Sequence, residues 1–138
     1  MKQPAAVVVG AGPSGFYTAG QLLDAGFTVD VIDALPTPFG LVRAGVAPDH
    51  PNIKVVTRVF DKIAGREGFR FFGGLTLGDN LSRQDLVEHY NVTVYATGMP
   101  DSSRLGIPGD DRPGSVSATG FVAWYLSLIH ISEPTRPY

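Results

Sequence analysis

The segment best equipped for chemistry is Gly10-Ala11-Gly12-Pro13-Ser14-Gly15, which spells G-x-G-x-x-G. In a strand-turn-helix setting each glycine has its own task. Gly10 permits a tight turn, Gly12 lets the backbone approach a pyrophosphate, and Gly15 allows a helix to pack closely on a strand. The free N–H groups and positive dipole end of the following helix then favour phosphate oxygens. Asp33 lies 23 residues after Gly10, at the end of a second expected strand. A carboxylate there accepts hydrogen bonds from ribose hydroxyls and disfavours a 2′-phosphate. Taken singly, three glycines mark only a chain reversal, and Asp33 only a solvated strand end. A preceding strand, a following helix, the right unit length and a terminal acid coincide here, and together they point to a dinucleotide. FAD or NAD suits this first nucleotide position; NADP suits it poorly.

These residues need a scaffold, and the pattern supplies one. Ala5 to Val9 is a continuous, largely β-branched run, as expected of a buried parallel strand. Phe16, Ala19, Leu22 and Leu23 recur at helical spacing, predicting a helix from Pro13 or Ser14 to about Ala25 with Gly26 as its stop. Thr28 to Ile32 is a second strand, so the first third reads as a β-α-β crossover in a parallel sheet. Ala34 to Pro51, with Pro36, Pro38, Pro48 and Pro51, carries no periodicity; a long stretch of that kind is usually functional or a linker. Asn52 to Ala64 resumes helical spacing through Ile53, Val56, Val59, Phe60 and Ile63. Phe69 to Phe72 and Leu75 to Leu77 are expected as short strands. Ser82 and Asp85 form an approximate capping box ahead of a short helix. Asn91 to Ala96 is another strand closed by Thr97-Gly98, and Ala118 to about Tyr125 is expected to be helical.

Composition bounds the class. The 138 residues suit one compact domain by length. No cysteine is present, which leaves no disulfide framework, thiolate metal site or redox Cys pair in the chain, and no metal site is expected. A net charge of −2 offers no electrostatic case for nucleic acid or an anionic membrane. Glycine (17) and proline (11) are enriched, yet 43% apolar residues argue against disorder, so they mark loops on a folded scaffold. No run reaches the roughly 18 apolar residues of a spanning helix. The short N-terminal apolar run reads as a strand entering a turn, not as a signal peptide, and the chain as cytoplasmic.

The stretch Pro36-Thr37-Pro38-Phe39-Gly40-Leu41-Val42-Arg43-Ala44-Gly45-Val46-Ala47-Pro48-Asp49-His50-Pro51 closely resembles the adrenodoxin reductase type of ferredoxin–NADP reductase. Phe71-Phe72-Gly73, Tyr95-Ala96-Thr97-Gly98, Ile107-Pro108-Gly109-Asp110 and Phe121-Val122-Ala123-Trp124-Tyr125 agree in order, so the resemblance covers about residues 5 to 125. It implies a truncated α/β, Rossmann-like FAD/NAD(P)-binding three-layer fold on a parallel sheet. It further implies a flavoprotein that takes a hydride from NADPH and passes single electrons to a ferredoxin- or adrenodoxin-like iron–sulfur protein. Gly10, Gly12, Ser14 and Gly15 would contact the FAD pyrophosphate and Asp33 its adenosine ribose. Gly40 and Leu41 would lie along the cofactor, Leu77 near the adenine side, and Thr97 and Gly98 where the chain passes toward a second nucleotide domain. His50 matches a histidine near the flavin and nicotinamide rings, with a role in orientation or proton balance; a loop histidine bonded to backbone is the plainer alternative. The family often carries Glu where this chain has Asp33, which bears on affinity more than on identity. Absence of cysteine argues against the disulfide-reductase branch.

Lys54, Arg58 and Lys62, with Arg66 beyond, form a stripe that either docks an acidic ferredoxin or is an ordinary solvated face; Asp61 and Glu67 beside it favour the second. Residues Leu126 to Tyr138 change character and resemble an in-frame translation of a sequencing-library adapter. The expected organisation is therefore an incomplete FAD-binding domain over 1–125 and a non-native tail over 126–138, inactive without the remaining enzyme. Alternatives are a stand-alone, non-catalytic FAD/NAD-binding module, or the FAD half of another oxidoreductase such as a glutamate synthase small subunit-like protein.

Overall fold

Burial on both faces explains the apolar first strand. In the computed structural model, which describes residues 3–44, 55–99, 102–122 and 124, β1 (Ala5–Val9) is central to a four-stranded sheet. The other elements are α1 (Pro13–Asp24), β2 (Thr28–Asp33), α2 (Leu41–Ala44), α3 (Val56–Ala64), β3 (Phe69–Gly73), α4 (Arg83–His89) and β4 (Val92–Tyr95). The strand order is β3-β2-β1-β4, and every pair is parallel. Val8 sits opposite Val31 of β2 and Val94 of β4, and Val31 opposite Phe71 of β3. All four strands therefore end at one sheet edge, where open α/β sheets bind their ligands.

The β-α-β reading holds nearly to the residue. Pro13 opens α1 at a position where its missing N–H costs nothing. Gly26, at φ +87°, closes the helix, and its N–H donates to the Leu23 carbonyl. Phe16, Ala19 and Leu23 are buried as their spacing predicted, while Leu22 is only partly so. On this face α3 adds Phe60 and Ile63. A Cβ on Gly20 would come within 3.2 Å of Ile63 Cδ1, so the bare glycine lets the two helices pack closely. The Phe16 ring is central, stacked on Phe60 (4.9 Å between centroids) and Phe69 (5.7 Å).

The other face is covered by α4, whose Leu86 meets Val7, Val9 and Ile32. The expected capping box is present: Asp85 N–H donates to Ser82 Oγ, and Ser82 N–H to Asp85 Oδ2. Those bonds from the Ser82 backbone and then its hydroxyl hold the Asp85 carboxyl below its ordinary range. Helices on both faces make three layers.

Several expectations need correction. Leu75 to Leu77 is not a strand; Leu77 forms only an isolated bridge with Leu81, because the chain turns over through Thr76 and Asn80. The aperiodic Ala34–Pro51 stretch contains the one-turn helix α2, too short for periodicity to reveal. Val59 is exposed, because the buried arc of α3 is set by Phe60 and Ile63. Residues 118–122 and 124 are helical, as anticipated. Ile53, Lys54 and the 126–138 tail lie outside the described residues. The chain divides into two compact units, Met1–Gly98 and Met99–Tyr138; the sheet and the glycine turn belong to the first.

Candidate functional site

The glycine turn joins β1 to α1 at the carboxyl edge of the sheet, and its three glycines differ in what constrains them. Gly10 has φ +111°, and its N–H donates to the Ile32 carbonyl at 2.8 Å. A Cβ there would lie 2.3 Å from the Ala96 carbonyl oxygen, so the turn presses against the end of β4. A Cβ on Gly15 would lie 1.9 Å from the Gly10 carbonyl oxygen, which rules out any side chain at the closest helix–turn contact. Around Gly12, by contrast, nothing among the described residues lies within 4 Å of an added Cβ. Two glycines are required by the fold, and the third leaves open space above the backbone.

That space suits an anion. Gly12 is the N-cap of α1 without a side-chain capping bond, and the first turn carries no acidic residue. The first-turn N–H groups have no helical acceptor, and no carboxylate of the helix itself competes for them. Ser14, exposed on that first turn, stands beside them.

Asp33 ends β2 on the other side of the turn. Its Oδ2 accepts the Ala11 N–H at 2.6 Å and its Oδ1 the Leu35 N–H at 2.8 Å. The carboxylate thus fastens the glycine turn to the segment after β2, a task the sequence did not reveal. Each oxygen keeps a lone pair, so acceptance from ribose hydroxyls stays compatible with these bonds.

The 34–40 segment folds back over the same place. Phe39 N–H donates to the Ala11 carbonyl at 2.9 Å, and a Cβ on Gly40 would come within 3.1 Å of Gly12 Cα. Gly73 at the end of β3 completes the seat, since a Cβ there would strike the Pro36 carbonyl oxygen at 2.6 Å. Leu41 follows, a large apolar side chain with 69% of its surface exposed. Gly98, at φ +69°, sits beyond β4, and an added Cβ there would meet nothing among the described residues. Leu77 is half-buried and packs on the Val7, Val9, Ile32 and Leu86 cluster of the second face. The structure therefore brings Gly10, Gly12, Ser14, Gly15, Asp33, Gly40 and Leu41 together, with Gly98 past the neighbouring strand end. His50 falls outside the described residues.

Of the basic stripe, Arg66 is committed elsewhere: it bonds Asp24 at 2.7 Å and the Gly20 carbonyl at 3.3 Å, tying down the end of α1. A second group escaped sequence reasoning. Asp30, 3% exposed in the middle of β2, accepts from Arg70 Nε and Nη2 at 2.7 Å each and from the Tyr90 hydroxyl at 2.6 Å. Its signal was an acid inside an apolar strand, which needs a partner when buried, with Arg70 directly opposite in register.

Comparisons with known proteins agree with this geometry. The NAD(P)-binding Rossmann-like domain profile matches residues 8–75. NADPH-ferredoxin reductase FprA of Mycobacterium tuberculosis is 44% identical over 133 residues, covering 91% of this chain and 29% of that protein. Mitochondrial NADPH:adrenodoxin oxidoreductase of Arabidopsis thaliana is 50% identical over 120 residues, covering 86% of this chain and 25% of that protein. Over the part they share, the chain is similar to NADPH-dependent reductases of the ferredoxin and adrenodoxin type. A solved structure of M. tuberculosis FprA in complex with NADPH superposes with a TM-score of 0.84 at 43% identity, over 89% of this chain and 29% of that one. The chain spans less than a third of the length of these reductase-family relatives. The profile match over residues 8–75 includes the glycine turn, Asp33 and the 34–40 segment that folds back over them.

Proposed function

We propose that this chain is the FAD-binding N-terminal part of an oxidoreductase that passes electrons from NADPH to a ferredoxin-type iron–sulfur protein. One observation carries the reading: Gly12 is the turn glycine that the fold does not need, and it opens the N-terminus of α1 to a pyrophosphate. The relatives named for NADPH and for ferredoxin or adrenodoxin supply the donor and acceptor classes. When bound, FAD supplies the chemistry of accepting a hydride and releasing single electrons. The protein's part is binding and orientation. Backbone N–H groups of the first turn of α1 hold the pyrophosphate, Asp33 receives the adenosine ribose, and Leu41 covers an apolar part of the cofactor. His50 is proposed to stand near the reacting rings. The 138 residues contain a single G-x-G-x-x-G, so the NADPH turn is assigned to sequence beyond them. The region over 126–138 is proposed to be foreign to the enzyme, and the 1–125 region to be inactive by itself.

Titration of the chain with FAD and with NADP⁺ tests the cofactor assignment. FAD is expected to bind saturably, with NADP⁺ at least about tenfold weaker, because a 2′-phosphate meets the Asp33 carboxylate. Equal affinity for NADP⁺ would contradict it. The coding DNA past residue 125 separates an enzyme from a free-standing nucleotide module: a second G-x-G-x-x-[GA] turn belongs to the enzyme.

A further inference from the structure

Phe39 is the non-glycine residue with a left-handed backbone among the described residues, at φ +88°. A side chain in that region is strained and persists only where its surroundings over-determine it. Glycine would adopt the same backbone without strain, so a phenylalanine there indicates that its ring is needed.

The surroundings show what for. The ring is buried, edge-on to Phe16 at 5.1 Å and 5.6 Å from Phe60. The Arg43 guanidinium lies over it at 5.7 Å. These contacts root the residue in the core between α1 and α3. Its backbone does a different job: the N–H donates to Ala11 in the glycine turn, and the carbonyl accepts from Val42 N–H at 3.1 Å. Between root and backbone, Gly40 is pressed onto Gly12, and Arg43 N–H closes onto the Gly40 carbonyl at 3.1 Å.

We propose that Phe39 is a positioning residue for the dinucleotide site, its core-anchored ring holding the strained turn that lays Gly40 and Leu41 over the phosphate-binding glycines. The proposal rests on the reading of the site as an FAD site. A turn held in place before binding spares the cofactor the ordering cost of the loop. Phe39 touches no reacting atom. It acts through Gly40, Leu41 and Ala11.

The test compares Phe39→Gly with Leu86→Ala, a change in the core on the other face of the sheet, away from the turn. Three quantities are read on the full chain: melting temperature, FAD affinity, and amide hydrogen exchange at Gly40–Arg43 without ligand. Phe39→Gly is expected to weaken FAD binding about tenfold or more and to speed exchange at Val42 and Arg43 by a similar factor. Leu86→Ala, with a comparable fall in melting temperature, is expected to leave both within about twofold. Equal effects of the two variants, or wild-type exchange in Phe39→Gly, would overturn the proposal. Should Phe39→Gly not fold, Phe39→Leu replaces it, with smaller changes expected in the same direction and the same overturning result. A wild-type chain that binds no FAD would count against the FAD reading, while the exchange comparison would still decide whether Phe39 holds the turn.

Discussion

At the scale of single residues, the glycine turn separates two requirements that its motif lumps together. Gly15 faces the Gly10 carbonyl so closely that a methyl group cannot be placed without moving the backbone. Gly15→Ala is expected to destabilise the fold by about 2 kcal/mol or more through forced backbone shifts, read as a lowered midpoint in urea. Gly12→Ala meets nothing among the described residues and is expected to leave that midpoint within about 0.5 kcal/mol. The identity of these residues was legible in the sequence because the G-x-G-x-x-G spacing has a specific mechanical meaning. Their division of labour was not, since it depends on Ala96 arriving from a strand more than eighty residues away. Asp33 was likewise legible as an acid at a strand end, but not as the fastener of Ala11 and Leu35.

At the scale of elements, periodicity predicted β1, α1, β2 and the capped α4, where burial follows one regular pattern. It failed at Leu75–Leu77 and at Leu41–Ala44, where three or four residues are too few to show a period and tertiary contacts decide the local shape. The Asp30–Arg70–Tyr90 group is an element-scale device, joining β2, β3 and the corner between α4 and β4. Burial first, then the hydrogen bond to Asp30, pushes the Tyr90 phenol from 10.0 up to about 12. The neutral phenol is thus the form the fold prefers. Its contribution is complete below pH 10 and is lost as pH rises through about 12. Alkaline titration of stability, wild type against Tyr90→Phe, is expected to show a steeper loss in the wild type over that window. Parallel curves would contradict the assignment. Arg70 is shifted up by the same partner, first through its hydrogen bond and then through the charge of Asp30, and so remains a cation throughout.

At the scale of the whole molecule, two facts qualify each other. The first unit, through Gly98, has a parallel sheet, two apolar faces and a glycine turn at the strand ends. Yet the chain spans 29% of a reductase such as FprA, so its site is read as one wall of a larger one. Among the described residues no helix is long and apolar enough to cross a membrane. The resemblance to these reductases was legible because the 36–51 stretch is specific, and the structure gives part of that specificity a physical meaning: Pro36, Phe39 and Gly40 are the residues on which the loop seats itself against Gly73, the core and Gly12. The most direct measurement is an FAD titration of the chain and of Gly12→Ala, followed by flavin fluorescence with the melting temperature recorded for both. Saturable binding is expected of the wild type and at least about tenfold weaker binding of Gly12→Ala, at unchanged melting temperature. Equal binding by two equally folded chains, or none by the folded wild type, would contradict the FAD reading.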